Sequence, residues 1–413
     1  MPTIDHHTAE KISRYLETGK DRYLALLKSL VLNNSHSRNR AGVNRCGAAI
    51  AEIFKPLGFS AATVPSVRPE YGSHLLLGRG AGRPVITCVS HLDTVYTEEE
   101  ERLNNFHWRE IGERIYGPGV IDIKGGTVAL YMMLDALAAI FPDVFNGLNW
   151  LLCFNASEEE FSDDFAALCR ERLKSRDVAA CLVFEGGSFD GDAHRIVVSR
   201  KGRAVYTVEA SGKSAHSGSD HEAGASAIAQ IADVIREIEN LTDHGKDLTF
   251  NIGKVMGGSG VNRVPDYARA EGELRAYTDE KFEAGIRGLM KLDGYSSVVN
   301  SAGAACVTSV KVQRTVPCWP ENEKSRRLYS CWEKAGEPAG IPVAPEKRGG
   351  ASDGNYLWEW YPTIDGLGPC GGNSHCSAGG ETGNDAEYIV TSSLREKTVL
   401  NTLAVLLLSN GLS

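Results

Sequence analysis

Three near-continuous apolar runs, PVITCV (84–89), LNWLLCFNA (148–156) and AACLVFE (179–185), alternate with helix-like stretches, and this alternation constrains the fold most. A strand that is apolar at successive positions must be covered on both faces, the condition of a mostly parallel α/β sheet between helix layers. Helical spacing of Leu, Ile, Ala and Phe spans residues 10–31 and 41–57, the second stretch stopping near Pro56 and Gly58. An apolar helix is predicted at 125–141, ahead of Pro142, and a polar one at 163–174. Near residue 200 the style changes. Runs at 203–210 and 267–277 alternate apolar and polar residues, as strands of a half-exposed antiparallel sheet do. They are accompanied by TFNIGKVM, CVTSVKVQ and helices at 221–240 and 279–291. Beyond residue 316 a helix at 322–335, a Gly-rich loop, a strand-like TIDGLG and a closing helix at 393–409 restore the first pattern. The expected architecture is therefore a discontinuous, helix-covered sheet domain, 1–199 and 316–413, with an inserted α+β domain at 200–315.

A chain of 413 residues exceeds what one hydrophobic core usually supports, in keeping with more than one domain. The net charge of −9 argues against a general nucleic-acid binder, which needs clustered Lys and Arg. The start, MPTIDHHTAEKISRYLE, lacks the basic and apolar regions of a signal peptide, and no membrane span is expected. The ten cysteines are scattered without a CxxC pair, so a zinc ribbon or thioredoxin-like site has no support. They read as small buried residues of a reducing, cytoplasmic protein.

Five short segments carry chemistry. VSHLDTV (89–95) sets His91 and Asp93 directly after an apolar strand, at the sheet edge where α/β folds bind ligands. At i, i+2 in extended chain the two project to one side, so Asp93 can accept a proton from one ring nitrogen while the other binds a metal. YGPGVIDIKGG (116–126) surrounds Asp122 with Gly117, Gly119, Gly125 and Gly126, and lacks the Lys-Ser/Thr of a phosphate loop. FNASEEEF (154–161) ends a buried strand in three glutamates; as an isolated run this is a solvated helix start, but its position matches that of His91. LVFEGG (182–187) presents Glu185, and GLGPCGGNSHCS (366–377) presents His375. Each segment alone reads equally well as a turn or cap. Together they offer two imidazoles and several carboxylates without a thiolate pair, a set suited to Zn²⁺, Mn²⁺ or Co²⁺ rather than copper or an iron–sulfur cluster. Cys376, beside His375, is expected to point away from such a site.

The order of SHLDTVY, GPGVIDIKGG, FNASEEE, VFEGG, SGKSAHSG, GGSGVNRVP, ELRAY, RGGASDGNY and GLGPCGGNSH resembles the M20 metallopeptidase family, especially its glutamate-carboxypeptidase branch. The resemblance runs from about residue 85 to the C-terminus. It implies two divalent metal ions, zinc before manganese or cobalt, one held by His91, Asp122 and Glu185 and the other by Asp122, Glu159 and His375. Asp93 orients His91, and Glu158 is the general base that activates a water held between the metals. The peptide bond after Asp122 is implied to be cis. The inserted domain becomes a lid that also forms a homodimer interface, with His216 reaching the partner's site as an oxyanion donor. Asn262 and Arg275 are implied to contact the substrate, and Gly349, Gly350, Ser352 and Asp353 to line its pocket.

The chain departs from the family pattern in three places. The return from the insert reads QRTVPCW, with Val316 where an Arg before Pro317 is common in glutamate-releasing members, and Val cannot replace a bidentate carboxylate clamp. The short HxxxEY ending is expanded to HCSAGGETGNDAEY, and NNSHSRNRAG is unusually polar. The expected function is hydrolysis of an amide-type C–N bond in a small amide or peptide. An aminoacylase, deacetylase or deaminase acting on a non-peptide molecule is the alternative within this chemistry. A non-catalytic binding protein is the alternative outside it.

Overall fold

A computed structural model describes residues 3–80, 84–160, 163–378 and 385–412, with the side chains of residues 314 and 315 also outside the description. Two compact units result. The first comprises Met1–Val198, Glu321–Lys347 and Ser352–Ser413, and the second Ser199–Pro320 and Arg348–Ala351. The second unit thus extends beyond the predicted insert, 200–315, to Ser199 and Pro320, and adds four residues of the later Gly-rich loop.

The first unit is built on a six-stranded sheet in the order Ser60–Pro65, Ser73–Arg79, Asn149–Asn155, Val85–His91, Val178–Val183 and Thr363–Ile364. The last four strands pair in parallel, and the first two add to the edge antiparallel, so the sheet is mixed α/β. The three apolar runs form adjacent central strands, and every residue of Val85–His91 and Asn149–Asn155 is buried. The two antiparallel strands lack long apolar runs, which is why the sequence did not single them out.

Helix Gly125–Ile140 buries thirteen residues, Gly125 to Leu137, in this core. By length and composition the stretch Val120–Ile140 could cross a membrane, yet it lies mostly buried inside the unit. Its one buried carboxylate, Asp135, accepts from Tyr15 (3.0 Å), Tyr23 (2.6 Å) and Arg22 (2.6 Å), which satisfies the charge and docks the N-terminal helices. Those helices are two, His6–Thr18 and Lys20–Val31, rather than the single one predicted for 10–31. The break falls at Gly19, where a Cβ would lie 2.6 Å from the Tyr23 ring.

The second unit carries a four-stranded antiparallel sheet ordered Thr249–Gly257, Tyr267–Ala276, Gly202–Ser211 and Val307–Val316. Alternate residues of Gly202–Ser211 face a core with helices Ala227–Glu239 and Asp279–Met290. The first of these helices starts later than the predicted 221, because Gly224 is extended and Ser226 caps the helix by accepting from Ala229 N–H.

Candidate metal centre

The carboxyl ends of the parallel strands in the first unit bring together the segments that sequence reasoning singled out. His91 ends strand Val85–His91, Asn155 ends its neighbour ahead of Glu158–Glu160, and Glu185 lies two residues beyond Val183. Asp122 sits in the tight turn Val120–Lys124 that leads into helix Gly125–Ile140, and its peptide bond to Ile123 is cis. Side chains would not fit at Gly119 or at Gly126, on either side of Asp122. Gly119 has φ +72°, and a Cβ there would lie 2.6 Å from Thr94 Cγ2; at Gly126 a Cβ would lie 1.8 Å from the Phe184 carbonyl oxygen.

His91 Nε2 lies 3.0 Å from Asp122 Oδ1 and 3.7 Å from Glu185 Oε1. His375 Nε2 lies 3.3 Å from Asp122 Oδ2 and 3.2 Å from Glu159 Oε2. The candidate ligand atoms thus form two trios, His91–Asp122–Glu185 and Asp122–Glu159–His375, each within 4.8 Å and sharing Asp122. In direct contact, each imidazole supplies the positive charge that the carboxylates demand. Asp122 and Glu159 push His375 up to about 11, and Asp122, Asp93 and Glu185 overcome burial to raise His91. Asp122 is held well below its usual range, because hydrogen bonds from His375 and His91 outweigh burial.

Asp93 meets the His91 ring and further neighbours besides. His91 Nδ1 bonds the Asp93 backbone carbonyl at 3.0 Å and lies 3.4 Å from the carboxylate. That carboxylate also accepts the N–H groups of Glu158 (3.0 Å) and Glu159 (3.3 Å) and the Ser37 hydroxyl (2.6 Å). It orients the glutamate turn as well as the imidazole. The three glutamates diverge. Glu159 meets His375, Glu160 pairs with Arg38 (3.5 Å) and Tyr71 (3.3 Å), and Glu158 is raised by burial and by the Glu185 and Glu159 carboxylates.

The donors fit divalent cations on two counts. Buried Glu159 Oε1 has no hydrogen-bond partner among the described residues. The two trios also combine nitrogen and carboxylate oxygen in a ratio that suits borderline metals, with a shared carboxylate of the kind that spans two ions. Cys376 does not join them; its thiol donates to the Ala378 carbonyl.

Five other predicted site residues are described within their own units. His216, exposed in the second unit, accepts the Gly218 and Ser219 N–H groups at Nδ1 (both 3.1 Å), which places its proton on Nε2. Asn262 is exposed there too. Arg275 is committed, its Nε and Nη2 gripping Glu273 (2.7 and 3.1 Å) and its Nη1 donating to the Gly349 carbonyl (3.0 Å). Gly350 offers its carbonyl to buried Arg200 at 2.9 Å. In the first unit, Ser352 is buried as a cap, donating to Asp365 (2.7 Å) and accepting from Gly354 N–H (3.1 Å). Val316 is buried in the second unit's sheet, and residues 379–384 of the expanded ending lie outside the described residues.

Sequence reasoning missed the partners that hold the centre. Asp353, named only as pocket lining, is bonded by Asn155 (2.9 Å) and pushed by burial up to about 7. Glu387, the Glu of the expanded ending, is buried and pushed up to about 8 by burial and the Asp122 carboxylate. Only the EY signature marked it in the sequence.

An α/β sheet with two carboxylate–imidazole trios at its strand ends is the setting of a candidate two-metal site. Residues 198–292 match the peptidase dimerisation domain family. The chain is 26% identical over 391 residues to carboxypeptidase G2 of Pseudomonas sp. (strain RS-16), covering 93% of this chain and 89% of that one. It is 25% identical over 348 residues to a succinyl-diaminopimelate desuccinylase of Nitrosospira multiformis, covering 80% and 86%. Among solved structures, the Bacillus subtilis YXEP protein, a dinuclear metal-binding peptidase, superposes with a TM-score of 0.64 at 15% identity over 95% of this chain and 99% of that one. These likenesses support an M20 metallopeptidase and indicate a hydrolytic enzyme.

Proposed function

We propose that this enzyme hydrolyses an amide-type C–N bond of a small acyl-amino acid or peptide, in the manner of a carboxypeptidase, with two zinc ions. The observation that carries this reading is the pair of ligand trios sharing Asp122, with Glu158 beside them on the same turn. His91, Asp122 and Glu185 would hold one ion, and Asp122, Glu159 and His375 the other. Bound there, the ions supply Lewis acidity for the scissile carbonyl and for the attacking water. Glu158 takes the proton of that water and delivers it to the leaving nitrogen, a step that typically contributes about 10²–10⁴ in rate. Asp93 holds Glu158 and Glu159 by their backbone N–H groups while its carbonyl fixes the His91 ring.

The second unit supports a homodimer, since it contains the matched dimerisation domain and exposes Val255, Met256 and Val261 at and just beyond its edge strand Thr249–Gly257. In that arrangement the Nε2–H of His216 donates to the oxyanion in the partner's site. The ten free cysteines suit a reducing, cytoplasmic setting.

A second reading, hydrolysis of an N-acyl substrate without a clamped terminal carboxylate, is favoured by one observation. Arg275 is already gripped by Glu273 and Gly349, and Val316 is buried. A desuccinylase among the relatives widens the range in the same direction. Zinc-reconstituted enzyme assayed on N-acyl-glutamates, dipeptides, other N-acyl amino acids and N-acyl amines separates the two. Efficient glutamate release supports the first, and turnover confined to the other acyl compounds supports the second. Glu158→Gln should keep its zinc and lose about 10²–10⁴ in turnover; full activity would overturn the base assignment. Protein that binds no divalent metal would overturn the function.

A further inference from the structure

Glu387 is wholly buried and belongs to neither ligand trio. Its Oε1 accepts two successive backbone N–H groups, those of Ile121 (2.9 Å) and Asp122 (3.1 Å). Its Oε2 accepts the phenol of Tyr96 at 2.5 Å, a buried ring set edge-on to Phe106. The main chain of the same residue donates to the Cys376 carbonyl (2.8 Å) and accepts the Gly117 N–H (3.4 Å).

One side chain and its own peptide groups therefore touch three ligand-bearing segments: the stretch that leaves His91 and Asp93, the turn around Asp122, and the residue after His375. A buried carboxylate beside other carboxylates is an expensive choice for a fold, since both desolvation and like charge oppose it. What it offers in return is an acceptor strong enough to draw two adjacent N–H groups and a phenol to one point. The N–H of Asp122 itself is one of these, so the acceptor acts on the backbone of the residue shared by both trios.

We propose that Glu387 is a positioning residue of the metal centre, fixing the Asp122 turn against the His375 loop and the segment after His91. This rests on the metal-dependent reading above. Residues that hold ligands from behind typically contribute 10–100-fold in metal affinity.

The test is calorimetric titration of Zn²⁺ into metal-stripped wild type, Glu387→Ala, Glu387→Gln and Glu387→Asp, with urea denaturation of the metal-free proteins alongside. Ala leaves both N–H groups without their acceptor, and zinc affinity of the folded protein should fall about 10–100-fold. Gln keeps an oxygen in place and should recover most of that loss. An Ala variant with a lower urea midpoint but wild-type zinc affinity would make Glu387 merely structural and overturn the proposal, as would equal losses in Gln and Ala. If Ala does not fold, Glu387→Asp decides, because it withdraws the carboxylate by one methylene. Weaker zinc binding there supports the proposal, and unchanged affinity overturns it. Wild type that binds no zinc defeats the metal-dependent reading itself, a result distinct from tight wild-type binding that Glu387→Ala leaves intact.

Discussion

Replacing Asp93 with Asn keeps its shape and removes one acceptor, and the structure says what that costs. Oδ1 accepts the Glu158 N–H at 3.0 Å, while Oδ2 accepts Ser37 Oγ at 2.6 Å and the Glu159 N–H at 3.3 Å. An amide presents one oxygen, so in either orientation its NH₂ faces at least one donor. The less damaging orientation keeps Ser37 and Glu159 and strands the Glu158 N–H. An unsatisfied buried donor costs about 1–3 kcal/mol, and two surviving bonds that lose a charged acceptor weaken by about 1 kcal/mol each. Partial access to water at Glu158 trims the sum, leaving about 2–4 kcal/mol. Urea denaturation of metal-free protein measures this directly. Because the stranded N–H belongs to the turn carrying Glu158 and Glu159, zinc affinity should also fall about 10–100-fold. Ser37→Ala, which removes one donor and no acceptor, should cost about 1 kcal/mol and leave zinc binding near wild type. An Asp93→Asn protein within about 0.5 kcal/mol of wild type, with unchanged zinc affinity, would refute this account of Asp93.

Asp164 concerns stability and its pH dependence. Although burial raises it, bonds to Oδ2 from His74 (3.1 Å), the Val67 N–H (2.9 Å) and Ser66 (2.8 Å) hold its carboxyl well below the usual range. Asp164→Ala strands the His74 Nε2–H and the Val67 N–H and should therefore cost about 2–4 kcal/mol at neutral pH. A depressed carboxyl stabilises fully above its unfolded value of about 4, so urea midpoints should show the gap constant from pH 7 to 5 and narrowing only as pH falls below about 4. Gly126→Ala drives a methyl into the Phe184 carbonyl and should exceed the usual overpacking penalty of about 1–3 kcal/mol while weakening zinc binding, since Asp122 and Glu185 flank the clash. Gly147→Ala, where a Cβ meets nothing within 4 Å, is the control that should alter neither. Chelation should abolish turnover, and zinc restored at a hundred times its dissociation constant should stabilise the folded protein by about 2.7 kcal/mol in a thermal or urea melt.

The amino-acid sequence by itself determined the alternating elements and the motifs at their ends. Apolar runs such as PVITCV and LNWLLCF have one way to lie, covered on both faces, so their place in a central sheet was legible from local composition. His91, Asp122, Glu159, Glu185 and His375 were legible for a related reason, because each ends a strand or opens a tight turn within a few residues of a recognisable run. Only the tertiary structure decided what lies behind those residues. Ser37 on Asp93, and Glu387 on the Asp122 backbone, are hydrogen bonds between segments separated by |i−j| of 56 and 265, and no local pattern encodes such a pairing. It also decided that the Asp93 carboxylate serves the glutamate turn more closely than the His91 ring, and that Arg275 is already held by Glu273. Periodicity and motif spacing report which faces are buried and which ends carry donors. The partner each donor meets depends on how distant segments pack, and that is a property of the folded chain alone.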